Sequence, residues 1–400
     1  INYMDVFSLN EIKENSIKGK VTLKKEEIEN FSTRKGDIFF TRTSETQEEI
    51  GITSVLTDKI KDCTFSGFVL RGRPISEKID IQFSKFCFKT RSIRKQIIST
   101  SSYTTRALTN GRLLSSVKIS FPPSHQEQKA IAQVLSDTDE FIQSIKSLID
   151  KKKAIKQGAM QELLTGKTRL EGFTEEWETK KLGEEGKTIS GLSGKTKTDF
   201  SNGNAQYITF MNVMSNVVID TSILQTVKIK QGETQNTFRK GDLFFNTSSE
   251  TPEEVGMCAV LLDKVKDVYL NSFCFGFRLT TEEKLNGLFL SYLINSNIGR
   301  SVFESLAQGA TRYNLSKTNF NNVILYVPND IKEQQAIAQI LSDMDLEIEA
   351  LEQQLTKTQD LKQGLMQELL TGKTRLVKPY MKENESDFRM VAEDRDNYKN

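Results

Sequence analysis

The side chains able to do chemistry are few and poorly grouped. There is one histidine, His125, so a Ser-His-Asp relay, a Cys-His pair or a multi-histidine metal site lacks material. Its place just after Pro122-Pro123 makes it a solvated residue in a helix's first turn. Cys63, Cys87, Cys258 and Cys274 form no Cys-x-x-Cys pair and are expected as reduced, mostly buried thiols. Gly-Lys-Thr occurs at Gly166, Gly194 and Gly372, but a phosphate loop needs another glycine five positions earlier. Gln161, Ile189 and Gln367 stand there instead. No Gly-x-Gly-x-x-Gly is present, and Pro122-Pro123 lacks the Asn/Asp-Pro-Pro-aromatic pattern that holds a target base in amino-methyltransferases. Asp330-Ile-Lys332 resembles a nuclease fragment but sits at a helix start with no partner strand.

Composition narrows the class further. The 400 residues carry 55 Lys+Arg against 53 Asp+Glu, a net charge of +2, with 37% hydrophobic residues. That is neither a strongly basic coat nor an acidic disordered chain. No apolar run approaches the ~18 residues of a membrane span.

The elements that position these residues occur twice. Gln161–Leu170 and Gln367–Leu376 both read QELLTGKTRL, 206 positions apart. Ala130-Ile-Ala-Gln-Val-Leu-Ser-Asp matches Ala336-Ile-Ala-Gln-Ile-Leu-Ser-Asp at the same offset, and Arg34-Lys-Gly-Asp-Ile-Phe-Phe matches Arg239-Lys-Gly-Asp-Leu-Phe-Phe at 205. Ser44-Glu-Thr and Gly51 recur as Ser249-Glu-Thr and Gly256. The period is too long for a solenoid, so a whole domain-plus-helix module is duplicated.

Each module opens with a strand-rich part. Ile38-Phe-Phe40 and Leu243-Phe-Phe245 follow Gly-Asp turns, Phe65–Leu70 and Tyr269–Phe277 have strand character, and residues 287–303 predict a helix. A long helix follows. Its start is marked by Ser124 three before Glu127 and by Asp330 three before Glu333. The first helix carries Ile131, Val134, Thr138, Phe141, Ile145, Leu148, Lys152 and Ile155 in alternating steps of three and four, widened by Leu135, Ile142 and Ile149. The second carries Ile337, Leu341, Met344, Ile348, Leu351 and Leu355. These seams are expected to pair, antiparallel by chain order. The charges of about 0 and −5 on the two helices allow Lys151-Lys152-Lys153 to face acidic residues. Each helix of about 39 residues would span roughly 58 Å, at most about 17 base pairs of duplex.

The expected fold is therefore α+β, a pseudo-twofold duplicated module. Two mixed α/β heads are separated by two long helices packed as an antiparallel coiled coil. Its segments are 1–123, a helix segment 124–170, 171–329, a helix segment 330–376 and a charged tail 377–400, expected to be disordered.

Local charge points to nucleic acid where net charge does not. Ile81–Gln126 contains no Asp or Glu but eight Lys/Arg. Within it, Arg94 and the run Tyr103-Thr104-Thr105-Arg106 offer guanidinium and hydroxyl groups of the kind that contact phosphates and base edges. The second copy places Gln308, Thr311, Arg312 and Tyr313 there, and Arg106 and Arg312 coincide at offset 206. A further candidate loop follows each Gly-Asp strand: Arg42, Thr43 and Ser44, then Asn246, Thr247 and Ser248.

These motifs resemble the DNA-specificity subunit of Type I restriction-modification enzymes over about residues 1–376. The most specific are Glu127-Gln-Lys-Ala-Ile-Ala, Glu333-Gln-Gln-Ala-Ile-Ala, the QELLTGKTRL helix ends, Trp177-Glu-Thr-Lys-Lys-Leu-Gly and the Gly-Asp-Leu-Phe-Phe strand. The resemblance implies two target-recognition domains, each reading one half of a split site in double-stranded DNA. It also implies a non-catalytic cytoplasmic scaffold that docks two modification (methyltransferase) subunits and two restriction (translocase/nuclease) subunits. No cofactor would sit on this chain; S-adenosylmethionine, ATP and magnesium would belong to the partners. Gln128, Gln133, Gln334 and Gln339 are the candidate partner-facing positions.

The first copy departs from the second. Ile1-Asn-Tyr-Met-Asp-Val matches only the end of the stretch from Phe173 through Tyr207-Ile-Thr-Phe-Met-Asn-Val, leaving about 36 residues without a counterpart. The first head is accordingly expected either to begin upstream or to be truncated. The alternative function is a coiled-coil adaptor whose heads bind proteins, which predicts binding insensitive to salt.

Overall fold

In the computed structural model, which describes residues 1–200 and 202–377, each Arg-Lys-Gly-Asp segment is a turn that launches a buried strand. Gly36 and Gly241 both have φ of 91°, a left-handed conformation that costs glycine little. The buried carboxylate that follows closes the turn. Asp37 accepts from the Arg34 backbone at 2.7 Å and from two nitrogens of Arg73, each at 2.7 Å. Asp242 accepts from the Arg239 backbone at 2.8 Å and from Arg278 in the same bidentate way. These hydrogen bonds raise the pKa of both arginines. The tail expected over 377–400 lies, apart from Val377, outside the described residues.

The chain forms two compact units, Ile1–Lys146 with Gln353 onward, and Ser147–Glu352. The first runs α1 (Tyr3–Ser8), β1 (Glu11–Ile12), α2 (Lys25–Asn30), β2 (Ile38–Thr41), β3 (Thr43–Ser44), β4 (Thr53–Leu56), β5 (Val69–Gly72), α3 (Ile81–Cys87), α4 (Arg91–Thr100), β6 (Ser102–Tyr103), β7 (Ala107–Leu108), α5 (Gly111–Leu114) and the start, to Lys146, of α6 (His125–Leu163). Its main sheet has the order β1-β4-β2-β5, with β1 parallel to β4 and the other pairs antiparallel. Phe40 on that sheet packs with Phe83, Phe86, Ile93 and Ile97 of α3 and α4.

The second unit takes the end of α6 from Ser147, then β8 (Trp177–Lys181), α7 (Leu182–Glu185), β9 (Gly186–Ser190), β10 (Ala205–Ile208), α8 (Phe210–Ser215), β11 (Gln225–Val227), β12 (Leu243–Asn246), β13 (Ser248–Ser249), β14 (Cys258–Val260), β15 (Val268–Leu270), β16 (Cys274–Leu279), α9 (Gly287–Asn295), α10 (Asn297–Leu306), β17 (Tyr313–Asn314), α11 (Lys317–Asn321), β18 (Ile324–Pro328) and the start, to Glu352, of α12 (Ile331–Leu369). Its main sheet is β14-β12-β16-β9. The single helix predicted over 287–303 is instead α9 and α10, parted at Ser296, whose hydroxyl accepts from the Gly299 N–H and caps the second helix. Cys87, Cys258 and Cys274 are buried free thiols, and Cys63 is half-buried. Burial pushes Cys87 up to about 12 and raises the other two buried thiols as well.

Each unit takes the start of one long helix and the end of the other. In the first, Ile131 and Leu135 of α6 share a core with Leu369 and Leu370. In the second, Ile337 and Leu341 of α12 share one with Leu163 and Leu164. Start against end means antiparallel pairing in both, as the chain order predicted. The lysines do meet acids: Lys152 reaches Glu347 at 2.6 Å and Lys153 reaches Glu352 at 2.7 Å. Lys156 pairs with Asp345, and the same pair recurs 206 positions away as Lys362 with Asp139.

The repeated QELLTGKTRL is a helix stop. Gly166 has φ of +69° and Gly372 +73°, the left-handed turn that commonly ends a helix. The Thr168 N–H donates back to the Glu162 carbonyl at 3.2 Å, and Thr374 does the same to Glu368 at 3.1 Å. A side chain at Gly166 would also press on the Trp177 indole, 3.2 Å from its Cβ position. The arginine that follows crosses to the opposite helix start. Arg169 makes two bonds to Glu333, at 2.6 and 2.7 Å, and Arg375 makes two to Glu127. Glu127 and Glu333 are buried. The predicted capping box is thus only half formed. Ser124 and Asp330 cap their helices, but the glutamates turn to arginine.

Candidate nucleic-acid interface

The two candidate loops of each head come together through short strand pairs. In the first unit β3 pairs with β7, and β7 pairs with β6, so Thr43-Ser44 lies beside the hairpin Ser102–Leu108. The hairpin tip is Thr104-Thr105-Arg106, all exposed. In the second unit β13 pairs with β17, and Gln308 bridges Asn314, so Ser248-Ser249 lies beside the Gly309–Arg312 tip. Gln308, Thr311 and Arg312 are exposed and Tyr313 is half-buried.

One backbone position joins the parts in both heads. The Arg42 N–H donates to the Phe68 carbonyl at 3.1 Å, and its own carbonyl accepts from Thr109 at 3.0 Å. Thr247 is held identically, donating to Phe273 at 2.9 Å and accepting from Leu315 at 2.8 Å. The Arg42 side chain is exposed, with one nitrogen donating to the Gly67 carbonyl at 3.2 Å. The Thr247 hydroxyl donates to the Phe273 carbonyl at 2.8 Å.

Several of the expected contacts face inward instead. Arg94 is not a free DNA ligand. Its guanidinium donates to the carbonyls of Gly51, Glu48 and Ile50 at 2.9, 2.8 and 2.6 Å. Arg300, at offset 206, clamps Gly256, Glu253 and Val255 in the same manner. Burial lowers the pKa of both. These arginines fix the loop that follows β3 or β13. Ser44 is buried and donates to Glu49 at 3.2 Å. Asn246 is buried, donating to the Ser248 and Glu254 carbonyls and accepting from the Met257 N–H at 2.7 Å. Ser248 is also buried. Polar atoms buried away from water take internal partners, and a strand end so satisfied has none to offer DNA. The outward groups are Arg42, Thr43, Tyr103, Thr104, Thr105 and Arg106 in one head, and Thr247, Gln308, Thr311, Arg312 and Tyr313 in the other. The acid-free stretch divides likewise: Lys85 pairs with Glu11 and Lys89 bonds Asn10, while Arg91, Lys95, Arg106, Arg112 and Lys118 are exposed.

The helix surfaces also differ from expectation. Gln128 and Gln334 are fully buried, not partner-facing. Gln128 accepts from the Asp80 N–H at 2.7 Å and donates to the Lys78 and Pro122 carbonyls, each at 2.8 Å. Gln334 repeats this with Asn286, Lys284 and Pro328. Each glutamine ties its helix start to its own head. Gln133 and Gln339 are exposed, each donating to an aspartate one turn on. In the pairing seam Ile131, Leu135, Ile142, Ile145, Ile149, Ile337, Leu341 and Ile348 are buried, and Met344, Leu351 and Leu355 are half-buried. The expected seam residues Phe141, Leu148 and Ile155 are the exceptions, at 48%, 41% and 47% exposed. In the second unit Leu148 and Ile155 lie one heptad apart on the exposed side of α6. A run of alternating threes and fours has two possible phases, and the structure takes the one through Leu135, Ile142 and Ile149.

Among the described residues no cluster of three or more His, Cys, Asp or Glu could hold a metal, and no helix is long and apolar enough to cross a membrane. His125 is exposed at the first position of α6.

Each unit thus presents an exposed polar tip that carries an arginine, on the same arrangement of paired strands. The profile of the family described as "Type I restriction modification DNA specificity domain" matches residues 2–155 and 174–359. The putative type I restriction enzyme MjaX specificity subunit of Methanocaldococcus jannaschii is 26% identical over 376 residues, 88% of this chain and 82% of that protein. The MjaVIII specificity subunit of the same organism is 26% identical over 281 residues, 66% of this chain and 64% of that one. In fold, the S subunit of a type I restriction-modification system from M. genitalium superposes with a TM-score of 0.54 at 15% identity, covering 85% of this chain and 84% of that. A chain from a type I system solved for complex assembly and conformational transition gives 0.53 at 16%, covering 84% and 82%. The chain belongs to the Type I restriction-modification DNA-specificity family. It is a DNA-recognition subunit, non-catalytic in itself, and membership implies DNA, methylase and restriction subunits as its partners.

Proposed function

We propose that the chain reads a bipartite duplex target, one head per half-site, and scaffolds two modification and two restriction subunits in the cytoplasm. S-adenosylmethionine, ATP and magnesium belong to those partners. The observation carrying this reading is the recurrence of one exposed tip on one backbone scaffold in two heads whose tip residues differ. Thr104-Thr105-Arg106 and Ala310-Thr311-Arg312 share the Thr-Arg pair, while Tyr103-Thr104 and Gly309-Ala310 before it and Ala107-Leu108 and Tyr313-Asn314 after it differ. A common frame with unlike readers suits two different short sequences. Arg106 and Arg312 are the base-reading candidates, since a guanidinium matches the acceptor pair of guanine in the major groove. Arg42, Thr43, Tyr103, Thr104, Thr105, Thr247, Gln308, Thr311 and Tyr313 line the same tips.

The exposed pair Leu148 and Ile155 takes the place of the buried glutamines as the face for a modification subunit. Two apolar side chains one heptad apart suit a partner helix. The test is selection from random duplexes by the chain assembled with its modification subunit. Two short determined sequences separated by an undetermined spacer are expected, with affinity falling steeply in salt. One continuous site, or salt-insensitive binding, would overturn the reading.

A further inference from the structure

Two large aromatic side chains stand in the open beside the candidate tips. Phe68 is 66% exposed and Phe273 54% exposed. They lie 205 positions apart, the offset of the surrounding strands. A solitary exposed apolar residue is ordinary. The same residue, on the same turn, held by the same bonds in two heads is a built feature.

Each turn is closed by two hydrogen bonds. In the first head Val69 N–H donates to the Ser66 carbonyl at 3.1 Å, and Phe68 N–H to the Ser66 hydroxyl at 3.1 Å. In the second, Cys274 N–H donates to the Asn271 carbonyl at 3.1 Å, and Phe273 N–H to the Asn271 side chain at 2.9 Å. Each phenylalanine is thus the third residue of a β-turn locked by a side-chain acceptor. Its carbonyl receives the N–H of Arg42 or Thr247, the position that also joins the hairpin. An arginine reaches each turn: Arg42 donates to the Gly67 carbonyl next in chain to Phe68, and the Arg312 guanidinium lies 5.9 Å from the Phe273 ring centre.

An exposed apolar ring on a hydrogen-bonded turn, joined through Arg42 or Thr247 to a tip that carries arginine and threonine, suits neither a protein core nor a hydrophobic partner. It suits a surface that is anionic outside and apolar within, namely duplex DNA, whose phosphates flank base faces and thymine methyl groups. We infer that Phe68 and Phe273 are specificity-determining residues, each making an apolar contact to a base of its own head's half-site. This rests on the two-half-site reading above.

The experiment compares the full chain, assembled with its modification subunit, as wild type, Phe68→Ala, Phe273→Ala and Phe68→Leu. Random-duplex selection first defines the wild-type site. Affinities are then measured on that site and on scrambled duplex across a salt series. Phe68→Ala should lose ten-fold or more on the selected site and nothing on scrambled DNA, with the salt slope unchanged. Its reselected motif should lose information in one half-site only, Phe273→Ala in the other, and Phe68→Leu should lose less. Melting curves matching wild type keep folding out of the comparison, as both rings are mostly in solvent. An intact wild-type bipartite motif with no change in the alanine variants, or with equal losses on every sequence, overturns the inference and leaves the half-site reading standing. A wild-type selection without two half-sites overturns both.

Discussion

Arg94→Met separates a loop clamp from a DNA contact. Methionine keeps the apolar stem and removes the guanidinium, leaving the Gly51, Glu48 and Ile50 carbonyls without their three donors at 2.6–2.9 Å. A hydrogen bond from a charged donor contributes about 1.5–3 kcal/mol. The Glu48 carbonyl lies in the exposed part of the loop and regains water, and the other two do so only in part. A loss of roughly 2–4 kcal/mol follows. With a urea slope of about 2 kcal/mol/M, the midpoint should fall by roughly 1–2 M. The twin variant Arg300→Met should do the same in the second unit. There the chain's single tryptophan, Trp177, is buried and reports that unit's unfolding by fluorescence. The assay is circular dichroism and fluorescence in urea, beside DNA affinity against salt. A phosphate-binding arginine would instead leave the midpoint alone and reduce the salt slope by about 1. That second pattern would refute the clamp.

Other outcomes follow from the same geometry. Arg106→Ala and Arg312→Ala should each relax one half-site by about 1–3 kcal/mol, read by reselection, and equal losses on all sequences would assign them to phosphate. Gln334→Leu should destabilise the second unit by about 2–4 kcal/mol, since it strands one N–H and two carbonyls in a buried site; an unshifted tryptophan transition would contradict this. Leu148→Ser with Ile155→Ser should leave folding intact and weaken co-purification of the modification subunit, and undiminished co-purification would exclude that face. Lys89 gives a pH test. Burial, then the neighbouring Lys362 cation and to a lesser degree Lys85, hold it down to about 8 against the pull of Asp139. The unfolded chain, with an ordinary lysine, binds more protons above that pH, so stability from this group rises between about pH 8 and 10.5. Lys89→Gln should therefore raise the melting temperature at pH 7 and flatten its rise toward pH 10. Equal shifts at both pH values would speak against a depressed lysine.

Much of the frame was legible in the residues because duplication makes it redundant. The second Glu-Gln-x-Ala-Ile-Ala start and the second QELLTGKTRL end mark the same helix limits as the first, so neither rests on propensity alone. The lysine run and the acidic second helix likewise anticipate antiparallel pairing. The site was legible in part. Arg106 and Arg312 stand out because a Thr-Arg pair recurs at offset 206 between residues that otherwise differ. Phe68 and Phe273 gave no such signal, since a phenylalanine entering a strand reads as core.

What sequence alone determined, then, is the module, its two copies, the family and the polarity of the helices, all carried by repeated order along the chain. Only the tertiary structure decided which polar groups are spent inside. Arg94 and Arg106 have the same chemistry and lie twelve residues apart, yet one closes on three carbonyls and the other faces solvent. Gln128 and Gln133 divide in the same way, as do Leu148 and Ile149. Burial is set by what packs across the helix or strand from elsewhere in the chain. A local pattern holds the period of a face but not the identity of the partner that covers it.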